Sequence, residues 1–169
     1  MLFRSGVSVG GLGISESSYI AAISTIDHSK VTEYTSYSIV GLEIDQRDLV
    51  LCVLKKGSTE SGALLEDVKQ ITIGKYTGTN KIASVPYLTA LPENKFAVLW
   101  QEFNLEHERG DLVLLTVDDK GNAIAAEKRF PKYVLSECRP LLDSSGNLVW
   151  YADDLDIDSG KYLRTFYTV

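Results

Sequence analysis

The residues with the clearest chemical spacing lie near the C-terminal end: Asp153-Asp154-Leu155-Asp156-Ile157-Asp158-Ser159-Gly160. Asp154, Asp156 and Asp158 alternate ahead of a glycine. A hard cation such as calcium takes several carboxylate oxygens converging on one point, with glycine allowing the sharp turn. The shell here is incomplete. Ser159 stands where that glycine belongs, no glutamate follows at the closing position, and Lys161 and Arg164 bring positive charge instead. The expectation is a solvated acidic hairpin loop. Asp154, Asp156 and Asp158 are the one metal-ligand set the spacing offers, calcium is the one ion it could take, and no cofactor is expected.

Other chemistry is thinner. His28 falls in an expected hairpin turn, and His107 sits in the polar loop Glu106-His107-Glu108-Arg109. Sequence neighbours on a strand point to opposite faces, so Glu106 and Glu108 alone could not complete a metal site at His107. Glu43, Asp45 and Glu137 could contribute to a glycosidase pair, but acidic side chains are equally expected on any solvated face. No Gly-x-Ser-x-Gly elbow occurs, and no catalytic residue is assigned. Gly10-Gly11-Leu12-Gly13 lacks the lysine and Ser/Thr of a phosphate-binding loop, and is expected to be a flexible or terminal loop. Trp100 and Trp150 are strand residues expected in packing, with a stacking surface for sugar rings as the alternative. Tyr133, Tyr151, Tyr162 and Tyr167 suit strands first and ligand contact second.

Elements must hold these side chains, and composition bounds what they are. The chain has 169 residues, 44% hydrophobic and 24% charged, with a net charge of −6. That is long enough for a real core. Nucleic acid is not an expected partner, because phosphate binding needs lysine and arginine gathered on one face. The longest apolar runs, such as Leu49 to Leu54, are strand-sized, so no membrane insertion is expected. Cys52 and Cys138 read as small hydrophobes, and spacing leaves a disulfide between them open.

The periodicity is β almost throughout. Lys95 to Gln101 (KFAVLWQ), Asp111 to Val117 (DLVLLTV) and Leu49 to Leu54 (LVLCVL) are dense in apolar residues, as expected of strands covered on both faces. Thr32 to Ile39 (TEYTSYSI) suits an exposed or edge strand. Ala63 to Gln70 (ALLEDVKQ) is expected to be a strand or irregular link. Turn chemistry separates the runs at Asp118-Asp119-Lys120-Gly121-Asn122, Asp143-Ser144-Ser145-Gly146-Asn147, Pro92-Glu93-Asn94 and Asp158-Ser159-Gly160.

Internal similarity suggests a repeat. Val85 to Trp100 (VPYLTALPENKFAVLW) and Arg139 to Trp150 (RPLLDSSGNLVW) share a proline, an apolar pair, a polar turn and an apolar strand with tryptophan. Aligning Phe96 with Leu148 also places Thr116-Val117 on Thr168-Val169. Thr25-Ile26-Asp27 aligns with Thr116-Val117-Asp118, and Asp48-Leu49 with Lys95-Phe96. Such a period, at about four strands per unit, is that of a propeller blade. On these segments the chain resembles β-propeller repeat proteins, and the divergent blade repeats of large bacterial surface and secreted proteins. It lacks the GH…WD pair of WD40 blades and the double glycine of kelch blades.

The resemblance implies an all-β fold of antiparallel four-stranded blade repeats, a partial β-propeller. The expected units are a partial blade at 6–38, blades at 39–83 and 84–136, and a truncated blade at 137–169. Met1-Leu2-Phe3-Arg4-Ser5 resembles the translated end of a sequencing adapter, so 1–5 is expected to be non-native. The implied function is a non-enzymatic binding or scaffold module of a larger bacterial protein, extracellular or at the cell surface. Its partner would be a protein or glycan ligand. The alternative is part of a propeller-fold enzyme of glycan hydrolysis or lysis. An incomplete stack bares apolar faces and open edges, so self-association is expected.

Overall fold

The computed structural model describes residues 7–26, 31–34, 39–41, 46–57, 67–156 and 159–169. These contain fourteen strands and no α-helix. The chain is all-β, with every pairing antiparallel.

The first sheet joins β1 (Val7–Ile14), β2 (Ser18–Thr25), β5 (Asp48–Lys55) and β6 (Lys69–Gly74) in that order. Between β2 and β5, β3 (Val31–Tyr34) and β4 (Ile39–Gly41) form a two-stranded hairpin. The second sheet runs β11 (Lys128–Phe130), β10 (Arg109–Val117), β9 (Lys95–Asn104), with β7 (Lys81–Ala83) and β8 (Tyr87–Leu91) both pairing along β9. These two act as one edge strand broken at Ser84-Val85-Pro86, where proline offers no N–H to a ladder. The third sheet is β12 (Leu141–Leu142), β13 (Leu148–Asp156) and β14 (Lys161–Thr168).

The sheets stack in three layers because β9 and β10 have two apolar faces. Phe96, Val98 and Trp100, with Val113, Leu115 and Val117, pack against Ile20, Leu49 and Leu51 of the first sheet. The alternate residues Ala97, Leu99, Leu112 and Leu114 pack against Leu148 and Trp150 of the third. Period-two alternation thus sends successive side chains into two cores. The expectation for KFAVLWQ and DLVLLTV, strands covered on both faces, holds.

Two expectations change. Gly10, Gly11 and Gly13 are not in a loop but in β1, packed on β8. A Cβ on Gly10 would fall 1.5 Å from the Pro86 carbonyl oxygen, and one on Gly13 would fall 2.4 Å from the Phe96 ring. Glycine here lets one backbone approach another, and the register of β1 shifts between Val9 and Gly11 as in a bulge. Secondly, β2 and β5 pair along their full length, Ser18 with Lys55 to Thr25 with Asp48. The boundary expected at 38/39 therefore falls inside one sheet. Residues 27–47 separate the two strands in sequence, and the repeat alignment assigned them to different units.

Two strand pairs that follow the aligned segments can be compared. Val117 pairs with Phe96, and Val169 exchanges backbone hydrogen bonds of 2.8 and 3.1 Å with Leu148. The two turns DDKGN and DSSGN are also built alike. Asp118 Oδ1 accepts the N–H groups of Lys120 and Asn122, and Asp143 Oδ1 those of Ser145 and Asn147. Gly121 and Gly146 take the positive φ each turn needs, 79° and 87°.

The contact at Gly10 leaves no room to relax without moving β8. Gly10→Ala is expected to destabilise the fold by about 3 kcal/mol, as overpacking does. Leu12→Ala, at a site 57% exposed, should change stability by roughly 0.5 kcal/mol. Chemical denaturation of the two variants checks this, and an equal effect would refute the close packing.

Candidate functional site

Of the candidate metal ligands Asp154, Asp156 and Asp158, the first two lie among the described residues. Asp154 lies on β13, where Arg109 of the β9–β10 hairpin donates to it at 2.9 Å. Asp156 is opposite Lys161 across the β13–β14 pair. Asp158 lies outside the described residues, as do His28, Glu43 and Asp45. Asp153 is held by Arg164, with Nε and Nη2 each 2.7 Å from one carboxylate oxygen, and this holds its pKa below the ordinary value. No group of three or more His, Cys, Asp or Glu among the described residues could hold a metal ion.

His107 sits in the β9–β10 loop with φ of 62°. Asn104 fixes that loop by accepting the Glu108 N–H and donating to its carboxylate, each at 2.8 Å. Glu137 is exposed in the segment before β12. Cys52 and Cys138 are both free thiols, half-buried, and burial pushes the Cys52 pKa up. Trp100 and Trp150 are 1% and 2% exposed, so neither offers a ring to a sugar. Tyr133 and Tyr167 pack with Trp150 in the second core, whereas Tyr151 and Tyr162 lie on the outer side of the third sheet.

The polar centre of the described structure is Glu102, which sequence reasoning passed over. It follows Phe96, Val98 and Trp100 on the same face of β9, at the strand's end, with its side chain 5% exposed. Three side chains converge on it with four hydrogen bonds. Arg129 of β11 donates from Nη1 at 2.8 Å and from Nη2 at 3.2 Å, Lys81 of β7 from Nζ at 2.6 Å, and the Tyr76 hydroxyl at 2.8 Å. Trp100 Nε1 donates in turn to the Tyr76 oxygen at 2.5 Å. Asp48 completes the frame, its Oδ1 accepting the N–H groups of Tyr76 and Thr77 at 2.8 Å each.

Burial pulls the Glu102 pKa up, but the hydrogen bonds from Arg129, Lys81 and Tyr76 and the charge of Arg129 outweigh burial and hold it below the ordinary carboxylate value. Burial, and then the bond to Glu102, raise Tyr76, so the phenol stays a donor. Beside this network opens a cleft of about 320 Å³ lined by Asn80, Lys81, Asn104, Glu108, Arg109 and Asp111 among others. Arg129 Nη1 also lies 3.6 Å from Asp111. With Glu127, whose Oε1 accepts from Arg129 Nε at 3.0 Å and Nη2 at 2.8 Å, three carboxylates meet at one guanidinium, and Lys81 adds a second positive charge beside Glu102. The arrangement suits ionic and hydrogen-bonding contact with a small polar group.

One sequence signal could have found Glu102. It continues the inward parity of an apolar strand, where a charge must find partners or destabilise the fold.

No family model, curated protein or solved structure matches the chain.

Glu102 yields a prediction in pH. Its folded pKa lies below the unfolded one, so its contribution is present above the unfolded value near about 4.3 and is lost as pH falls through the folded pKa. Unfolding free energy measured from neutral pH downward should decline below that value. Glu102→Gln should flatten this part of the profile and lower stability at neutral pH by about 1–2 kcal/mol, since it removes the charge from the hydrogen bonds of Lys81 and Arg129, which stay partly solvated. A variant with an unchanged profile would remove Glu102 from this role.

Proposed function

We propose that this chain is part of a β-propeller-like stack and serves as a non-enzymatic binding or scaffold module of a larger protein. The observation that carries this reading is where the sheets touch. Their contacts concentrate at β1, β8 and β12, one edge strand from each sheet. Gly10 against Pro86 joins the first pair. The Thr89 hydroxyl, donating to the Pro140 carbonyl at 2.8 Å, and Arg139, donating to the Leu88 carbonyl, join the second. At the far edges, β6 and the segment after β10 leave an opening of about 520 Å³. Sheets that converge on one edge and open at the other are arranged as propeller blades are, around an axis. The equivalent Phe96–Val117 and Leu148–Val169 pairs and the two DxxGN turns support a repeat. The resemblance of the sequence to bacterial surface and secreted repeats supports an extracellular setting.

The outer faces fit a stack that continues. On the side of the first sheet away from the second, Val9 pairs with Ile23 and Ile23 with Val50, Leu12 with Ala21 and Ala21 with Cys52, and Ile14 with Tyr19 and Tyr19 with Leu54. Val9, Leu12 and Ile14 are 69%, 57% and 59% exposed. Three apolar rows are the surface a further sheet would cover. A glycan-hydrolysing reading is favoured only by the meeting of Glu102 and Asp111. It would need one carboxyl with a raised pKa as general acid, whereas that of Glu102 is lowered.

Sedimentation over an about hundredfold concentration range tests the stack reading. The chain should self-associate through the bare face, and Leu12→Lys with Ile14→Lys should reduce this while leaving the β circular-dichroism spectrum unchanged. A strictly monomeric chain with a cooperative melt at high temperature would overturn it. Hydrolysis of a polysaccharide lost in both Glu102→Gln and Asp111→Asn would favour the enzyme instead.

A further inference from the structure

The outer face of the third sheet differs in kind from the apolar outer face of the first. Tyr162, Arg164 and Phe166 alternate along β14, so their side chains share one side of the sheet. The register sets Tyr151 opposite Phe166, and Asp153 opposite Arg164, on that same side. Tyr162 and Phe166 are 76% and 72% exposed. Two aromatic side chains this open on one strand make a patch, which marks a contact surface. The group between them is pre-set. Arg164 Nε and Nη2 each lie 2.7 Å from a carboxylate oxygen of Asp153, and the guanidinium carbon lies 4.7 Å from the centre of the Tyr151 ring. The Tyr151 and Phe166 rings are in turn 6.0 Å apart. A guanidinium held at its edge by a carboxylate and at its face by a ring loses little freedom when a ligand arrives.

The composition of the face selects the occupant. By register, Asp153 and Arg164 are the only charged residues on this side among the described residues of β12, β13 and β14, and they neutralise each other. The remaining row, Leu141, Val149 and Thr168, is uncharged. An uncharged partner therefore fits. A further sheet or a second copy laid here would strip water from the Arg164–Asp153 pair, which costs free energy unless new hydrogen bonds replace it. A sugar chain meets both demands. The CH faces of its rings pack on aromatic faces, and its hydroxyls replace the water around the ion pair. A sheet face suits a flat, extended chain, which pyranose rings form when their substituents and linkages are equatorial. We infer that Tyr162, Phe166 and the Arg164–Asp153 pair form a binding platform for an uncharged, equatorially linked pyranose chain. This rests on the reading of the chain as a binding module and gives that module its ligand class.

The probe is cellohexaose, titrated to about 10 mM into the full chain, at the weak end of the affinity scale. Nuclear magnetic resonance should show saturation passing from the Tyr162 and Phe166 ring protons to the CH protons of the sugar. Tyr162→Ala and Phe166→Ala should each weaken binding at least about fivefold, whereas Tyr162→Trp should retain it. Affinity should change less than about twofold between low and high salt, because the face is neutral. Should a variant fail to fold, saturation transfer in the unmodified chain still decides. No transfer from these rings, or an affinity unchanged in both alanine variants, would overturn the proposal. So would covering of the two rings that grows with protein concentration alone, which would give the face to a second copy. A chain that self-associates through the first sheet and takes up no cellohexaose would sink the platform and leave the stack reading standing; a strictly monomeric chain that binds cellohexaose through these rings would do the reverse.

Discussion

A strand with apolar side chains at successive positions has no solvent face, and it must be covered twice. The β9–β10 hairpin imposes this on the whole chain. Phe96, Val98 and Trp100 need one partner surface, and Ala97 and Leu99 need another. The first sheet supplies Ile20, Leu49 and Leu51, and the third supplies Leu148 and Trp150. Both outer sheets leave apolar side chains uncovered. β1 leaves Val9, Leu12 and Ile14 in solvent, and β14 leaves Tyr162 and Phe166 76% and 72% exposed. The two apolar faces of the hairpin therefore set it between the other sheets, and the parity of β9 also carries the polar site. Position 102 has the parity of Phe96 and Trp100, so a glutamate there must enter the interface between two sheets. It is stable there because Arg129, Lys81 and Tyr76 come to it from β11, β7 and the segment after β6.

That network also joins what the apolar core leaves loose. β7 and β11 are each three residues long, too short to fix a sheet edge by pairing alone. Lys81 and Arg129 tie them to one carboxylate on the central strand. The cost of burying the charge is offset because all its lone pairs are addressed, and removal of either cation alone would leave Glu102 with one charged partner and the Tyr76 hydroxyl. Such a centre specifies geometry more than it adds stability.

Much of the fold was legible in the sequence. The dense strands Lys95 to Gln101 and Asp111 to Val117 declare double burial. The DxxGN turns declare themselves because one aspartate can accept two N–H groups only if glycine permits the left-handed fourth position. Thr32 to Ile39 was read as an exposed or edge strand; β3 ends at Tyr34 and β4 begins at Ile39, and residues 35–38 lie outside those described. The stretch Gly10 to Gly13 was misread because residues without side chains carry no hydrophobic period, and their role depends on Pro86 and Leu88, which are remote in sequence. The carboxylates of Asp153 and Asp154 were visible, but not the cations that occupy them. Arg109 comes from another sheet, and Arg164 from the neighbouring strand. Spacing along one strand cannot show what faces it across a turn.

The two interfaces of the central sheet are not equivalent, and this orders the stability of the layers. The first is a broad apolar contact, with Phe96 and Trp100 among its aliphatic residues, reinforced at the β1–β8 approach, where glycine brings backbones together and leaves little room for sliding. The second rests on an aromatic group, Trp150 stacked on Tyr167 at 5.5 Å with Phe130 on Tyr133 at 5.1 Å, and on a few polar ties. Trp150 Nε1 donates to the Val134 carbonyl at 2.8 Å, and Gln101 accepts the Leu135 N–H at 2.9 Å, so the linking segment is itself part of the packing. The third sheet is also smaller, with a two-residue edge strand in β12. Fewer buried apolar contacts mean a smaller free energy of local opening. The third sheet can therefore separate while the first two stay paired, whereas loss of the β9–β10 hairpin takes both cores with it.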